Sequence, residues 1–513
     1  MNRLISRVLR ASGAAAAILF LSGVTNGAEL SAQQAQVRRL TLDEALALGA
    51  DASEAVGIAR AGVERALGQQ KQARSELYPQ LSGSASYTRT LASQFSAAVD
   101  DSGSSGPPAP ECRHFTGNPD LPIGERVDSL ESALECAADQ DPFALFSDLP
   151  FGRENQYSIG LQASQTLFAG GRVRAQSRVA DAALRSARIA LESEEAVLTL
   201  DITRAYYDAV LADRLLTIAD STLAQAERTL ENTRLAEEVG NVAEFELLRA
   251  TVARDNARPA VIQGRANRDV SMLRLKQLLE LPANDSLVLA TTLGDSSNVL
   301  PPPSVIAEQQ GDTATESRAF VRLASENVAI REGQLDVADA GRWPTLRLSS
   351  SYARLAYPDE VVPAWGDFVS DWTVTLGLTV PLFTGGRIAG ERQVARADLD
   401  EARLQLKQAQ ELAQLDARST EAELDAASAA WEASAGVVEQ AQRAYAIAEV
   451  RYQEGISTQT ELGDARVQLQ QAVANRAQSA RDLQVARVRN ALLPDLPADQ
   501  GRPEGRPLIS RNP

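Results

Sequence analysis

Two rhythms of apolar residues run along this chain, and each appears twice. Leu81, Gly83, Ala85 and Tyr87 alternate with Ser82, Ser84, Ser86 and Thr88. Farther on, Tyr157, Ile159, Leu161 and Ala163 alternate with Ser158, Gly160, Gln162 and Ser164. The second half repeats the period less regularly at Leu346, Leu348 and Tyr352. It is clearest at Trp372, Val374, Leu376, Leu378, Val380 and Leu382, interleaved with Thr373, Thr375, Gly377 and Thr379. A period of two gives a strand one apolar and one polar face. Four strands are therefore expected, over about 78–90, 156–168, 344–354 and 372–383, each near the length at which a tilted strand crosses a bilayer.

The stretches that follow are helical in pattern. Residues 170–238 and 386–454 hold no proline and hardly any glycine. At 1.5 Å per residue such a helix is about 100 Å long, and it needs lateral partners along its length. In the second stretch Leu412, Leu415, Ser419, Ala422, Ala426, Ala429, Ala433 and Gly436 recur at steps of three and four, the expected packing seam. Gly240 and Gly455 suit the left-handed turn that stops a helix. Shorter helices are expected to run back over 244–281 and 458–493. Pro259 lies inside the first return, where the second has Ala474, so a kink or break is expected near Arg258.

The recurrence has a fixed offset. Leu167-Phe168-Ala169-Gly170-Gly171-Arg172 returns as Leu382-Phe383-Thr384-Gly385-Gly386-Arg387, and Gly240, Glu246 and Leu247 return as Gly455, Glu461 and Leu462; 382 − 167 = 455 − 240 = 215. Tyr78-Pro79 pairs with Trp343-Pro344 at 343 − 78 = 265, so the first half carries an insertion of 265 − 215 = 50 residues, about 92–150. The chain reads as a tandem duplication. Its parts are a first repeat over 29–282, a connecting equatorial segment over 283–315, a second repeat over 316–494, and a disordered tail over 495–513.

Residues 1–28 read as a signal peptide: Arg3, Arg7 and Arg10, then the apolar run Ala14–Val24, then the small Gly27 and Ala28. The mature chain is thus expected to be exported. With no later apolar run of 18 residues, it can cross a membrane only as strands. A net charge of −17 over 513 residues argues against nucleic acid as a partner. One histidine and two cysteines leave little room for a catalytic triad or a thiolate zinc site. No Gly-x-Ser-x-Gly or phosphate loop is present, so neither enzyme activity, nor a cofactor, nor a metal site is expected. Four strands cannot enclose a useful pore, and an open edge cannot persist in lipid. Several copies must join, and three would give twelve strands, within the range of membrane barrels.

On these motifs, with Leu-Thr-Leu-Asp-Glu-Ala-Leu at 40–46, the chain resembles TolC-type outer-membrane efflux and secretion ducts over about 41–494. The resemblance implies an α + β membrane protein. In it four strands per protomer join a trimeric 12-stranded β-barrel, continued by a long antiparallel α-helical coiled-coil tunnel across the periplasm. It implies an outer-membrane passive duct of a tripartite efflux or type I secretion system, a homotrimer in outer-membrane lipid. A periplasmic adaptor (membrane fusion protein) would dock on it, and an inner-membrane RND or ABC transporter would power it.

The resemblance also assigns roles. Val239, Gly240, Asn241 and Val242, with Gly455, Ile456 and Ser457, would be adaptor-binding tips. Glu461 and Asp464 would ring the entrance with acid, and Tyr452 with Glu246 would latch it. Leu167, Phe168, Gly170 and Gly171, with Leu382, Phe383, Gly385 and Gly386, would mark the barrel-to-helix transition. Asn241 and Ser457 depart from the family's leucine and, in some members, arginine, so a differently built closed state is expected. The insertion would face outside the cell; there Cys112 and Cys136 favour a disulfide over a zinc site, which would lack a fourth ligand even with His114. Tyr87, Tyr157, Tyr352 and Trp372 at one end of the strands, and Phe168 and Phe383 at the other, are expected to form aromatic belts. A trimeric surface stalk or adhesin anchored by a β-barrel is the competing reading, disfavoured because both long helices turn back.

Overall fold

The computed structural model describes residues 38–91, 117–138, 154–293, 303, 314–358 and 360–498. The expected signal peptide, Cys112, His114 and most of the tail lie outside them. In chain order the elements are β1 (Arg38–Leu40), α1 (Leu42–Ala52), α2 (Glu54–Ser75), β2 (Gln80–Arg89), α3 (Ile123–Ala138), β3 (Asn155–Ala169), α4 (Arg172–Glu238), α5 (Glu244–Leu278), β4 (Leu287–Leu289), α6 (Ala319–Ala340), β5 (Thr345–Ala356), β6 (Val369–Thr379), α7 (Arg387–Gln453) and α8 (Gln459–Ala491).

The four long strands form one antiparallel sheet in the order β2-β3-β5-β6. Its register sets Tyr87 opposite Tyr157, Leu161 opposite Tyr352, and Tyr352 opposite Trp372. Residues directly opposite share a face, so most of the apolar residues of the four strands collect on one side. Leu81, Ile159, Leu348 and Leu376 stand there. The other side is lined by Ser82, Gln162, Ser351 and Thr373, and Leu355 and Val369 pair on it. β2 and β6 are exposed along their whole length, and Leu81 and Leu376 are 71% and 62% exposed. A sheet with an apolar face and two bare edges is unfinished in one protomer. Tyr87 and Tyr157 stack at 4.6 Å between ring centres, and the Trp372 indole N–H donates to Ser350 at 3.0 Å.

β6 starts at Val369 and stops at Thr379, short of the expected 383. Pro381 has no N–H to give the ladder and ends it. Leu382 and Phe383 therefore lie beyond the strand, more than nine-tenths exposed. Leu167 is the extra residue of a bulge in β3 between Thr166 and Phe168.

α4 and α7 each run unbroken for 67 residues, starting and stopping at the same offset, 387 − 172 = 453 − 238 = 215. The described glycines with positive φ fall into three pairs at that offset: Gly170 and Gly385, Gly171 and Gly386, Gly240 and Gly455. The helices pack as a single-layer wall. On the strand side the row is α2-α4-α6-α7; toward the glycine turns it is α5-α4-α8-α7. Charge pairs cross it, among them Arg185 to Glu326 at 2.8 and 2.7 Å and Arg481 to Asp208 at 2.7 Å.

The core lies at mid-height, where Leu40, Ile202, Tyr206, Leu275, Trp431 and Leu483 are buried together. A short parallel pairing of β1 with β4, unforeseen in the sequence, anchors the segment that leads into α1 here. The Tyr206 hydroxyl donates to the Leu40 carbonyl at 3.0 Å, and Thr41 with Glu44 forms a capping box on α1. A buried ion cluster ties three helices of the second half together: Arg318, at the start of α6, pairs with Asp416 of α7, and Arg489 of α8 lies 3.8 Å from the same carboxylate. The Arg476 guanidinium stacks 3.9 Å over the Trp431 ring.

Several expectations need correction. The seam of α7 that is buried within the protomer is Ala413, Asp416, Thr420 and Trp431; the stripe from Leu415 to Gly436 is exposed. The two stripes lie one residue, about 100°, apart on the helix. Of the kink or break expected near Arg258, the break is absent: α5 continues through Pro259. Asp255, whose carbonyl loses its partner there, is exposed to water, and Val261 is buried against the wall. The insertion contains a helix, α3, rather than loop alone; Cys136 near its end is disulfide-bonded, while Cys112 lies outside the described residues. The tail begins packed, with Leu496 buried beside Ala196 and Val488.

Gly170 and Gly385 share a φ of 60°, but their surroundings differ. A Cβ on Gly170 would stand 2.5 Å from the Trp343 Cβ and 2.9 Å from the Ala340 carbonyl, whereas one on Gly385 meets nothing within 4 Å. Both Gly→Ala changes lose roughly 1 kcal/mol to the left-handed backbone, and Gly170→Ala adds a clash. Its thermal midpoint by circular dichroism should fall clearly below that of Gly385→Ala; equal midpoints contradict the packing described.

Candidate channel entrance

Both long helices end in the same way. The N–H of Gly240, at φ 78°, donates to the Glu237 carbonyl at 2.8 Å, and the Asn241 N–H reaches Ala236 at 2.9 Å. At the other turn Gly455 has φ 70°, and the Ile456 N–H reaches the Arg451 carbonyl at 2.8 Å. These backward bonds satisfy the last carbonyls of each helix and need a left-handed residue, hence glycine. The turns differ at the start of the return. Thr458 caps α8 by accepting the Glu461 N–H at 3.4 Å, while Ala243 gives α5 no side-chain cap. The turns present apolar residues to solvent: Val239 is 70% and Ile456 69% exposed. Asn241 is exposed beside them, and Val242 is half-buried.

Glu461 and Asp464 are exposed in the first turns of α8, three residues apart and so on one face. Their counterparts at 461 − 215 = 246 and 464 − 215 = 249 are Glu246 and Arg249. The second hairpin is therefore doubly acidic, while the first carries an opposed pair 3.8 Å apart. The acids sit near helix N-termini, where the backbone dipoles favour negative charge.

The two hairpins are tied side by side. The Arg249 guanidinium donates to the Thr460 hydroxyl. The buried Gln459, with its amide nitrogen turned toward α5, donates to the Glu246 carboxylate at 3.0 Å. A cavity of about 180 Å³ lies between α4, α5 and α8, lined by Arg249, Gln459, Asp464 and Arg466. Arg466 is partly buried, which lowers its pKa, and its Nε has no hydrogen-bond partner within the protomer. The Ser457 hydroxyl is in the same position.

Tyr452 and Glu246 do not meet within one protomer. Tyr452 donates to the Thr233 hydroxyl at 3.2 Å, since Thr233 gives its own proton to the Thr229 carbonyl. Glu246 is engaged by Gln459 and Arg249. Thr233 has no distinguishing signal in the sequence beyond its place two turns before Gly240. At the other end of α4 and α7 the Gly170-Gly171 and Gly385-Gly386 pairs are left-handed and begin the helices. Phe168 is half exposed at that junction. Among the described residues no cluster of three or more His, Cys, Asp or Glu side chains could hold a metal ion, and no helix is long and apolar enough to cross a membrane.

A family model described as "Outer membrane efflux protein" matches residues 145–280 and 312–492, more than half of the chain. Outer membrane efflux protein BepC of Brucella suis is 23% identical over 273 residues, 53% of this chain and 57% of BepC. The chain spans about half the length of the curated relatives it matches. The solved structure of CusC superposes with a TM-score of 0.66 at 16% identity, covering 88% of this chain and 91% of CusC. The outer membrane protein VceC of Vibrio cholerae gives 0.64 at 18% identity, covering 88% of this chain and 95% of VceC. At these identities the structural likeness is one of fold, that of TolC-like outer-membrane channels. The chain belongs to the outer membrane efflux protein family, whose place is the outer membrane.

Proposed function

We propose that three copies of this chain join edge to edge as a 12-stranded barrel, continued by a helical tunnel in the periplasm. It serves as the passive exit duct of a tripartite efflux or type I secretion system. The observation that carries the reading is the unfinished sheet: four strands, apolar on one face, with both edges bare. Lipid tolerates such a sheet only when its edges are closed. The exposed stripe of small residues on α7 supports it too, since long helices need neighbours on that side.

In this reading an adaptor docks at Val239–Val242 and Gly455–Ser457 and opens the tip, and an inner-membrane RND or ABC transporter supplies the energy. Glu461 and Asp464 from three copies place six carboxylates around the entrance, which favours cations. Tyr452 holds α7 to α4 through Thr233, and Glu246 holds α5 to α8; together they keep each hairpin pair closed. A surface stalk is not favoured, because both long helices turn back through glycine.

The purified protein in planar bilayers is expected to conduct with cation preference. Glu461→Gln with Asp464→Asn should bring the reversal potential in a salt gradient toward zero; unchanged selectivity would refute the acidic ring. Tyr452→Phe removes a hydrogen bond worth about 1 kcal/mol, so conductance should rise, and Thr233→Val should add little on top of it. If conductance is unchanged in both, Tyr452 is no latch.

A further inference from the structure

The insertion helix α3 holds a pattern that the duct reading does not use. Ile123, Val127, Leu130 and Leu134 follow one another at steps of four, three and four, and all are exposed, Ile123 at 79% and Leu134 at 60%. That is the spacing of alternating d and a positions of a heptad. Setting Val127 at a and Leu130 at d puts Arg126 at g and Glu131 at e. In a parallel coiled coil a g residue faces the e residue five positions later on the neighbouring helix, so Arg126 of one copy faces Glu131 of the next. Within one helix these two residues are about 140° apart and cannot pair. Cys136 falls at c, off the seam, where its disulfide does not obstruct packing.

We infer that the α3 helices of the joined copies pack on one another as a short parallel coiled coil over the outer mouth of the barrel. The occupant of the apolar face is thus a second copy of this chain. The inference rests on the three-copy reading above. α3 lies between Arg89 and Asn155, which pair at the end of the sheet farthest from the Gly170-Gly171 junction. Rotation about a barrel axis keeps the copies parallel, the orientation that the Arg126–Glu131 pairing requires. Reach is sufficient. Twelve tilted strands about 4.8 Å apart give a barrel radius near 12 Å, while the shorter connection, 139–154, spans up to about 53 Å when extended. Two heptads are marginal alone; the shared barrel raises their effective concentration and makes the association intramolecular.

The test uses the full chain in detergent, with Leu130→Cys at the seam and Ser132→Cys on the outer face. After mild oxidation, Leu130→Cys should join chains into covalent pairs, and Ser132→Cys, off the seam at f, should not. Adding Arg126→Glu to Leu130→Cys should cut the yield at least fivefold, and Arg126→Glu with Glu131→Arg should restore it. Equal yields at 130 and 132, with a scattering mass of three chains, overturn the coil and leave the duct standing. A scattering mass of one chain overturns the three-copy reading, and the coil with it. Insensitivity of the yield to Arg126→Glu overturns the parallel register.

Discussion

Backbone N–H and C=O groups cannot be left unpaired in hydrocarbon, and that single cost governs this molecule. β2 and β6 each turn a row of such groups outward. The side chains of the sheet are already largely sorted, one face mainly apolar and the other mainly polar. In the proposed assembly a sheet sorted in this way, open at both edges, is one sector of a closed wall. The interior it lines is then polar, which suits a water-filled path.

The same logic extends down the helices. A helix of about 100 Å has no compact core to support it, so α4 borrows support from α2 and α6 on the strand side and from α5 and α8 toward the turns. α7 has company on one flank only, and its second stripe, from Leu415 to Gly436, stays bare in the single chain. Where the wall needs to be rigid, at mid-height, the chain concentrates what large side chains it has: Tyr206, Trp431 and the buried Arg318–Asp416 pair. Removing one partner of such a pair leaves a charge stranded in the core. The belt is thus stiff, and the hairpin ends are held by buried apolar residues such as Ala226, Ala250 and Leu462 and by a few polar contacts.

Much of this architecture was legible in the sequence because duplication prints every landmark twice. The strands showed through their period of two, and the left-handed glycines through their offset of 215. The end of β6 was misplaced because alternation carries on past Pro381, where the ladder cannot. On α7 the three-four steps marked a real stripe but not its partner: periodicity reports that a face is set apart, not which neighbour covers it. Asp416 could not be found because its partner Arg318 lies 98 residues away. The entrance was legible as a place, through glycine and acid, but not in its contacts, since Thr233 is one threonine among many along α4. The helix in the insertion is hard to see in the sequence because proline, glycine and aspartate surround it.

The central claim is that the edge of β2 in one copy is closed by the edge of β6 in another. It is tested most directly by a cysteine at Ser84 on β2 combined in turn with one at Asp371, Thr373, Thr375 or Gly377 on β6, oxidised in the membrane and run on a denaturing gel. The account predicts that at one of these positions the chains link head to tail into a covalent ring of three. Single chains at all four positions would contradict it.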